Sequence, residues 1–225
     1  MGNKKAIIFD MDGTLIDSEK IFEAIAIEVF AELKIKLTKK TYSYWKGLPT
    51  KQIEYAILKE FGADFPLANF KSKFAERWDS HIRNFGINVI PGIKGLLKML
   101  SVHNRKVSVA TSTPLEAAVN SLKIAGIKLP KNRVIGGDMV KNGKPSPEIF
   151  LKAADSMQCS AHECIVVEDS IIGIEGGKRA GMTTVFVPNT TTTQGENTQG
   201  EKKWDYFASS FDERNQIIKQ LLELQ

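Results

Sequence analysis

Apolar residues follow two alternating rhythms along this chain. Short, unbroken runs rich in isoleucine and valine occupy residues 5–10, 106–111, 133–136, 164–168 and 183–187. Continuous hydrophobicity of this kind suits strands covered on both faces, as in a parallel sheet sandwiched between helices. Between the runs, helical spacing covers residues 91–102, 114–125, 147–157 and 171–180. Strand, helix and strand in repetition predict an α/β fold with a doubly wound, Rossmann-like and mainly parallel sheet.

Residues 18–84 break the rhythm. Ile21, Phe22, Ile25, Val29, Phe30 and Leu33 recur on one helical face, with Glu23, Glu28, Glu32 and Lys34 off it. Further helices are predicted over 51–61 and 67–83, with no convincing strand between them. An interval of about 65 residues far exceeds a normal connection of a few residues. It reads as an all-helical cap inserted into a core made of residues 1–17 and 85–225. A helical extension packed permanently on one sheet face is the alternative. Near the other end, residues 189–200 (NTTTTQGENTQG) predict a polar surface loop, followed by an amphipathic helix over 213–224. Asn189-Thr190-Thr191 fits a glycosylation acceptor, read as a chance match because no signal peptide is recognised.

Composition narrows the partners. At 42% hydrophobic and 25% charged residues, the chain is neither disordered nor collagen-like. Lys and Arg outnumber Asp and Glu by 31 to 26, a net charge of +5. That mild excess suits small anionic substrates, and without a block of like charges it makes no case for nucleic acid. No run approaches the roughly 20 apolar residues needed to cross a bilayer, so no membrane association is expected. Gly2 lacks the Ser or Thr that a myristoylation motif needs where Ala6 stands. Cys159 and Cys164, with only His162 between them as another ligand, match neither a zinc pattern nor a disulfide framework. A reducing, cytoplasmic setting is the expectation.

Several runs end in groups that bear chemistry. The first closes on Asp10 and continues Met11-Asp12-Gly13-Thr14. Asp-Gly is also a turn signal, but open α/β sheets bind ligands beyond the carboxyl ends of their strands, where Asp10 falls. A second run ends in Thr111 and Ser112, and Thr113-Pro114-Leu115-Glu116 reads as a capping box with proline at the first helical position. A helix starting there aims free N–H groups and its positive dipole end at the same sheet edge, an anion site. Lys144 precedes Pro145, which favours an extended backbone at Lys144, and Ser146-Pro147 repeats the cap-then-proline device. A further run, Ile165-Val166-Val167, ends in Glu168-Asp169. Adjacent carboxylates at a strand end are costly unless solvated, paired or metal-bound. Mg²⁺ takes one or two such groups together with phosphate oxygens and retained waters.

In order, these motifs resemble those of the haloacid dehalogenase-like hydrolase superfamily, a mostly phosphatase group with an aspartate nucleophile. The resemblance rests on the run from Asp10 to Thr14, strand-terminal Thr111, Lys144 in Gly-Lys-Pro, and the pair Glu168-Asp169. The helical insert, Asp17-Ser18-Glu19 and the Pro91-Gly92 where the chain rejoins the core resemble the branch containing β-phosphoglucomutase and many small-molecule phosphatases. The resemblance implies a Mg²⁺-dependent phosphatase acting on small phosphorylated metabolites, sugar phosphates or nucleotide-like monoesters, through an aspartyl-phosphate. It makes Asp10 the nucleophile and Asp12 the general acid and base. Thr111, the Ser112 N–H and Lys144 would bind the phosphoryl oxygens. Asp10, the Asp12 carbonyl and Asp169 would hold the metal, with Glu168 a direct or water-mediated helper. The name-giving dehalogenases lack the second aspartate, so Asp12 points to phosphoryl transfer.

The nearest alternative is a sugar phosphomutase of the β-phosphoglucomutase type. Mutases of that branch carry a cap histidine where this chain has Phe22, and a cap-loop arginine where it has Thr50. Lacking both, the chain favours hydrolysis. A non-catalytic binding module on the same fold is a further alternative, opposed by intact Asp10, Asp12, Lys144 and Asp169. On the cap, Trp45, Lys46 and Thr50 are candidates to face substrate. Core packing for Trp45 and a solvated charge for Lys46 are the plainer expectations.

Overall fold

The computed structural model describes residues 4–45, 48, 50–188 and 203–224. Its strands are β1 (Ala6–Phe9), β2 (Lys106–Ala110), β3 (Val134–Ile135), β4 (Cys164–Glu168), β5 (Thr183–Phe186) and β6 (Tyr206–Phe207). They form one six-stranded parallel sheet in the order β3-β2-β1-β4-β5-β6. The two faces explain the unbroken apolar runs. Ile7, Phe9, Ile165 and Val167 enter one apolar core, while Ala6, Ile8, Cys164 and Val166 enter the other. Neither side of β1 or β4 meets water. Helices α5 (Ile93–Val102), α6 (Leu115–Ile124) and α9 (Phe211–Leu221) contribute to the first core and α7 (Glu148–Ser156) to the second. Helix α8 (Ile171–Arg179) lies along β4 and β5. No helix among the described residues is long and apolar enough to cross a membrane.

Between β1 and α5 the described residues form four helices and no strand: α1 (Glu19–Glu32), α2 (Lys39–Ser43), α3 (Thr50–Phe61) and α4 (Leu67–Phe85). Helix α1 packs on α4. Phe30 centres an aromatic cluster, with the rings of Trp45, Phe61, Phe65 and Phe70 at 5.0–5.9 Å. The chain leaves and re-enters the core on two adjacent segments. Asp17 N–H donates to the Asn88 carbonyl and Ile90 N–H to the Leu15 carbonyl, both at 2.9 Å. Buried Arg214 of α9 donates to the Pro91 carbonyl at 3.2 Å and lies 5.3 Å from the Phe211 ring. Burial draws its guanidinium down to about 10.

Three elements depart from the expected pattern. Helix α2 is too short for a periodic signature; it forms because the Thr38 hydroxyl accepts from Thr41 N–H at 3.0 Å, an N-cap. Strand β6 adds two residues to the sheet edge, held through Asp205, which accepts from Thr184 N–H and hydroxyl at 2.9 Å each. Helix α9 begins before residue 213 because Ser210 Oγ caps it by accepting from Glu213 N–H at 3.1 Å, and it ends at Leu221. The expected loop at 189–200, including Asn189, lies outside the described residues.

Candidate active site

Parallel register carries the reactive groups to one edge. Phe9 pairs with both Val109 and Val167, so the residues that follow each strand emerge side by side. Asp10, Asp12, Thr111, Ser112, Lys144, Glu168 and Asp169 line a single cavity of about 440 Å³ there. Its opposite wall comes from α1, α3 and α4 and includes Thr50. Trp45 does two jobs that the sequence left as alternatives: it is buried in the Phe30 cluster and also lines the cavity. Lys46 lies outside the described residues.

Lys144 joins two of the acids. Its amine donates to Asp10 Oδ1 at 2.5 Å and to Glu168 Oε1 at 2.6 Å, with all three side chains buried. The loop bearing it is tied down by Lys141 and Asn142 N–H groups, which donate to Glu148 at 2.8 and 3.0 Å. Glu168 Oε2 accepts from Ser170 N–H and hydroxyl at 2.9 and 2.8 Å, so protein donors occupy both of its oxygens. Two glycines make room. A Cβ on Gly173 would stand 1.8 Å from Glu168 Oε1, and one on Gly13 would stand 2.1 Å from Asp169 Oδ2. Gly13 also adopts φ +82°, a region that disfavours side chains.

Electrostatics in this corner are crowded. Burial pushes the Asp10 carboxyl well above the usual range; Lys144 pulls it back and Glu168 pushes it further. Asp169 is raised by burial, then by Glu168 and Asp10. Burial opposes the charge on Lys144, yet Asp10 and Glu168 raise its amine above the ordinary lysine value. One carboxylate oxygen from each of Asp10, Glu168 and Asp169 lies within 4.8 Å of the others. Hard oxygen donors at that spacing, with one ammonium against three acids, fit a divalent cation.

Asp12 stands apart from that cluster. Ser18 donates to its Oδ1 at 2.7 Å, and Thr113 and Thr111 donate to its Oδ2 at 2.9 and 3.4 Å. Burial raises its carboxyl, against these three hydroxyls. The Thr113 bond corrects the expected capping box. Its hydroxyl serves Asp12, and Asp138 takes over at α6 by accepting from Leu115 N–H at 2.8 Å. Helix α6 starts after Pro114, which itself has an extended ψ of 145°. The second expected cap holds more loosely, with Ser146 Oγ accepting from Glu148 N–H at 3.4 Å.

Ser18, Thr113 and Ser170 thus hold Asp12 and Glu168, a part that the motifs did not assign to them. Thr113 and Ser170 each sit one residue past a recognised motif, where a small hydroxyl was a usable signal. Ser18 reaches Asp12 only because the chain turns back over the sheet edge. On the opposite wall, Lys71 also lines the cavity, its amine 2.5 Å from Glu54 Oε1.

A parallel sheet of this order, acidic at its carboxyl edge and covered by an inserted helical unit, defines the Rossmann-like class of capped hydrolases. The profile of the haloacid dehalogenase-like hydrolase family matches residues 7–187, and the chain belongs to that family. It is 28% identical over 182 residues to a phosphorylated carbohydrates phosphatase of Thermotoga maritima, covering 81% of this chain and 84% of the relative. It is 29% identical over 184 residues to the fructose-1-phosphate phosphatase YqaB of Escherichia coli, covering 80% and 95%. The crystal structure of a β-phosphoglucomutase from Clostridium difficile superposes with a TM-score of 0.77 at 25% identity, covering 98% and 97%. Family and relatives make this chain a phosphatase-type hydrolase.

Proposed function

We propose that the chain hydrolyses small phosphate monoesters with Mg²⁺, through an aspartyl-phosphate on Asp10. The observation that carries this reading is the different setting of the two aspartates. Asp10 touches the Lys144 ammonium, whereas the hydrogen bonds to the Asp12 carboxyl come from three hydroxyls. Paired carboxyls in contrasting environments divide into nucleophile and acid. An oxygen of Asp10 attacks phosphorus as the bond to the ester oxygen breaks, and Asp12 gives its proton to the departing alkoxide. Asp12, now a carboxylate, takes a proton from a water that attacks phosphorus. The bond to Asp10 then breaks, inorganic phosphate leaves, and both carboxyls return to their starting states. Thr111, the Ser112 N–H and Lys144 hold the phosphoryl oxygens. Asp10, the Asp12 carbonyl and Asp169 would hold Mg²⁺, with Glu168 behind them, and the ion would neutralise charge on the phosphoryl group. Residues 18–84 act as the cap on a core of 1–17 and 85–225. The free thiols of Cys159 and Cys164 accord with a cytoplasmic setting.

Hydrolysis is favoured over mutase chemistry by the cap wall. Phe22 stacks on Trp78 with centroids 4.5 Å apart, and the Lys71 amine is committed to Glu54. Phosphate release from acetyl phosphate and a panel of monoesters, with Mg²⁺ and with EDTA, tests the reading. Activity should disappear with EDTA and return with Mg²⁺. Asp10→Asn should lower kcat at least about a thousandfold in a protein that still folds, checked by its melting curve, since an amide keeps the shape but is no nucleophile. Loss of less than about tenfold would sink the aspartyl-phosphate. Asp169→Asn should raise the Mg²⁺ requirement more than Glu168→Gln, because protein donors already occupy both Glu168 oxygens.

A further inference from the structure

The cavity wall opposite the carboxylates is made of rings. Phe22 stacks on Trp78 at 4.5 Å between centroids and meets Phe74 at 5.9 Å, and all three line the cavity. Ile53 and Ile57 of α3 extend that surface. Polar groups on this side are Glu19, Tyr42, Thr50 and the pair Lys71 and Glu54. Lys71 and Glu54 neutralise each other, and Glu19 and Tyr42 interact with one another toward the acid end, where Glu19 also acts on Asp169. A polyhydroxylated leaving group needs a partner for each hydroxyl taken out of water, and the rings of Phe22, Phe74 and Trp78 supply none. A flat apolar ring finds offset or edge-on contacts there. At about 440 Å³ the cavity holds far more than a phosphoryl group and lies in the usual range for a small organic ligand.

We propose that the alcohol released at this site is apolar and aromatic: the substrate is an arylalkyl phosphate monoester whose ring packs against Phe22, Phe74 and Trp78. The inference rests on the phosphatase reading above and narrows its substrate class. It sets the chain apart from the relatives named for phosphorylated carbohydrates and fructose 1-phosphate.

The test compares naphthylethyl phosphate with glucose 6-phosphate, using the full chain and Mg²⁺. Both are esters of primary alcohols, so the leaving groups match in reactivity and the comparison isolates binding. The aryl ester should show a kcat/KM about a hundredfold higher, carried mainly by KM. Equal values, or preference for the sugar ester, overturn the inference. Acetyl phosphate is too small to reach the rings and reports phosphoryl transfer alone. Its turnover without aryl preference overturns the substrate class and leaves the phosphatase reading standing. No turnover of any of the three compounds overturns both. Phe74→Gln on the half-buried Phe74 should raise KM for naphthylethyl phosphate about tenfold and shrink its advantage over the sugar ester. Phe22→Leu keeps an apolar side chain but removes a ring, and should shrink that advantage less. A folded Phe74→Gln protein, checked by its melting curve, with the wild-type preference intact overturns the inference.

Discussion

Lys144 is buried between Asp10 and Glu168, and removing its charge leaves two carboxyls facing each other out of water. Breaking a buried ion pair from one side costs about 3 kcal/mol or more, so Lys144→Met should lower urea stability by roughly that amount. Lys144→Met combined with Glu168→Gln should lose less than the sum of the single changes, because the second change removes the charge stranded by the first. Thr113→Val tests the reassigned hydroxyl. It should leave the melting temperature nearly unchanged, since Asp138 caps α6, yet lower kcat on the order of tenfold, the worth of one hydrogen bond to a charged group. Sulfur chemistry differs between the two cysteines. Burial pushes the Cys164 thiol up to about 12, whereas Cys159 is half-buried, so a maleimide should label Cys159 first and reach Cys164 only on unfolding. At this scale the recurring motifs exposed Asp10, Asp12, Thr111, Lys144, Glu168 and Asp169. Thr113 was hidden because Thr-Pro-x-Glu satisfies a local capping rule, and only the distance to Asp12 shows where the hydroxyl goes.

Strand β6 shows how a short element survives without a hydrophobic run of its own. Burial tends to raise the Asp205 carboxyl, but hydrogen bonds from Lys178 and from Thr184 N–H and hydroxyl outweigh it and hold the group below the usual value. A depressed pKa contributes stability that is present above the unfolded value and lost as pH falls through the folded one. The wild type should therefore lose urea stability below about pH 4 more steeply than Asp205→Asn, and parallel curves would remove Asp205 from that role. Helices with long apolar faces were legible in outline, α1 and α4 among them. Helix α2 and β6 were not, because neither carries an apolar run or face of its own and their stability comes from Thr38 and Asp205. The expected helix at 213–224 was displaced because its N-cap signal, Ser210 with Glu213, precedes the apolar stripe.

Across the whole molecule, the inserted helices are not insulated from the sheet. One buried apolar cluster runs from Phe9 and Val167 through Ile16 and Ile25 to Phe30 and Phe70. The two connecting segments are cross-bonded at Asp17 and Ile90, and Arg214 fastens α9 to Pro91 beside them. Shared burial of this kind couples the parts, so urea unfolding should be a single transition. Trp45 and Trp78 report the helical insert and Trp204 the edge beside Phe186, while circular dichroism reports all the helices. Fluorescence and dichroism midpoints should coincide; a separate early fluorescence transition would show that the insert unfolds alone.

Placement of β1 to β5, the parallel class, the helical insert and the acidic strand ends were determined by the sequence itself. Each depends on local periodicity, or on one residue type at the end of an apolar run, and such information survives in a linear string. Tertiary structure alone decided that Lys144 bridges Asp10 and Glu168, residues 134 and 24 positions away, and that Ser18 and Thr113 converge on Asp12. It also decided that Phe22 meets Trp78 to make an aromatic wall above the carboxylates. Contacts across such separations depend on strand order and on how the insert folds back over the sheet edge. No local pattern encodes those distances, so the residues of the edge were readable in advance and the character of the wall facing it was not.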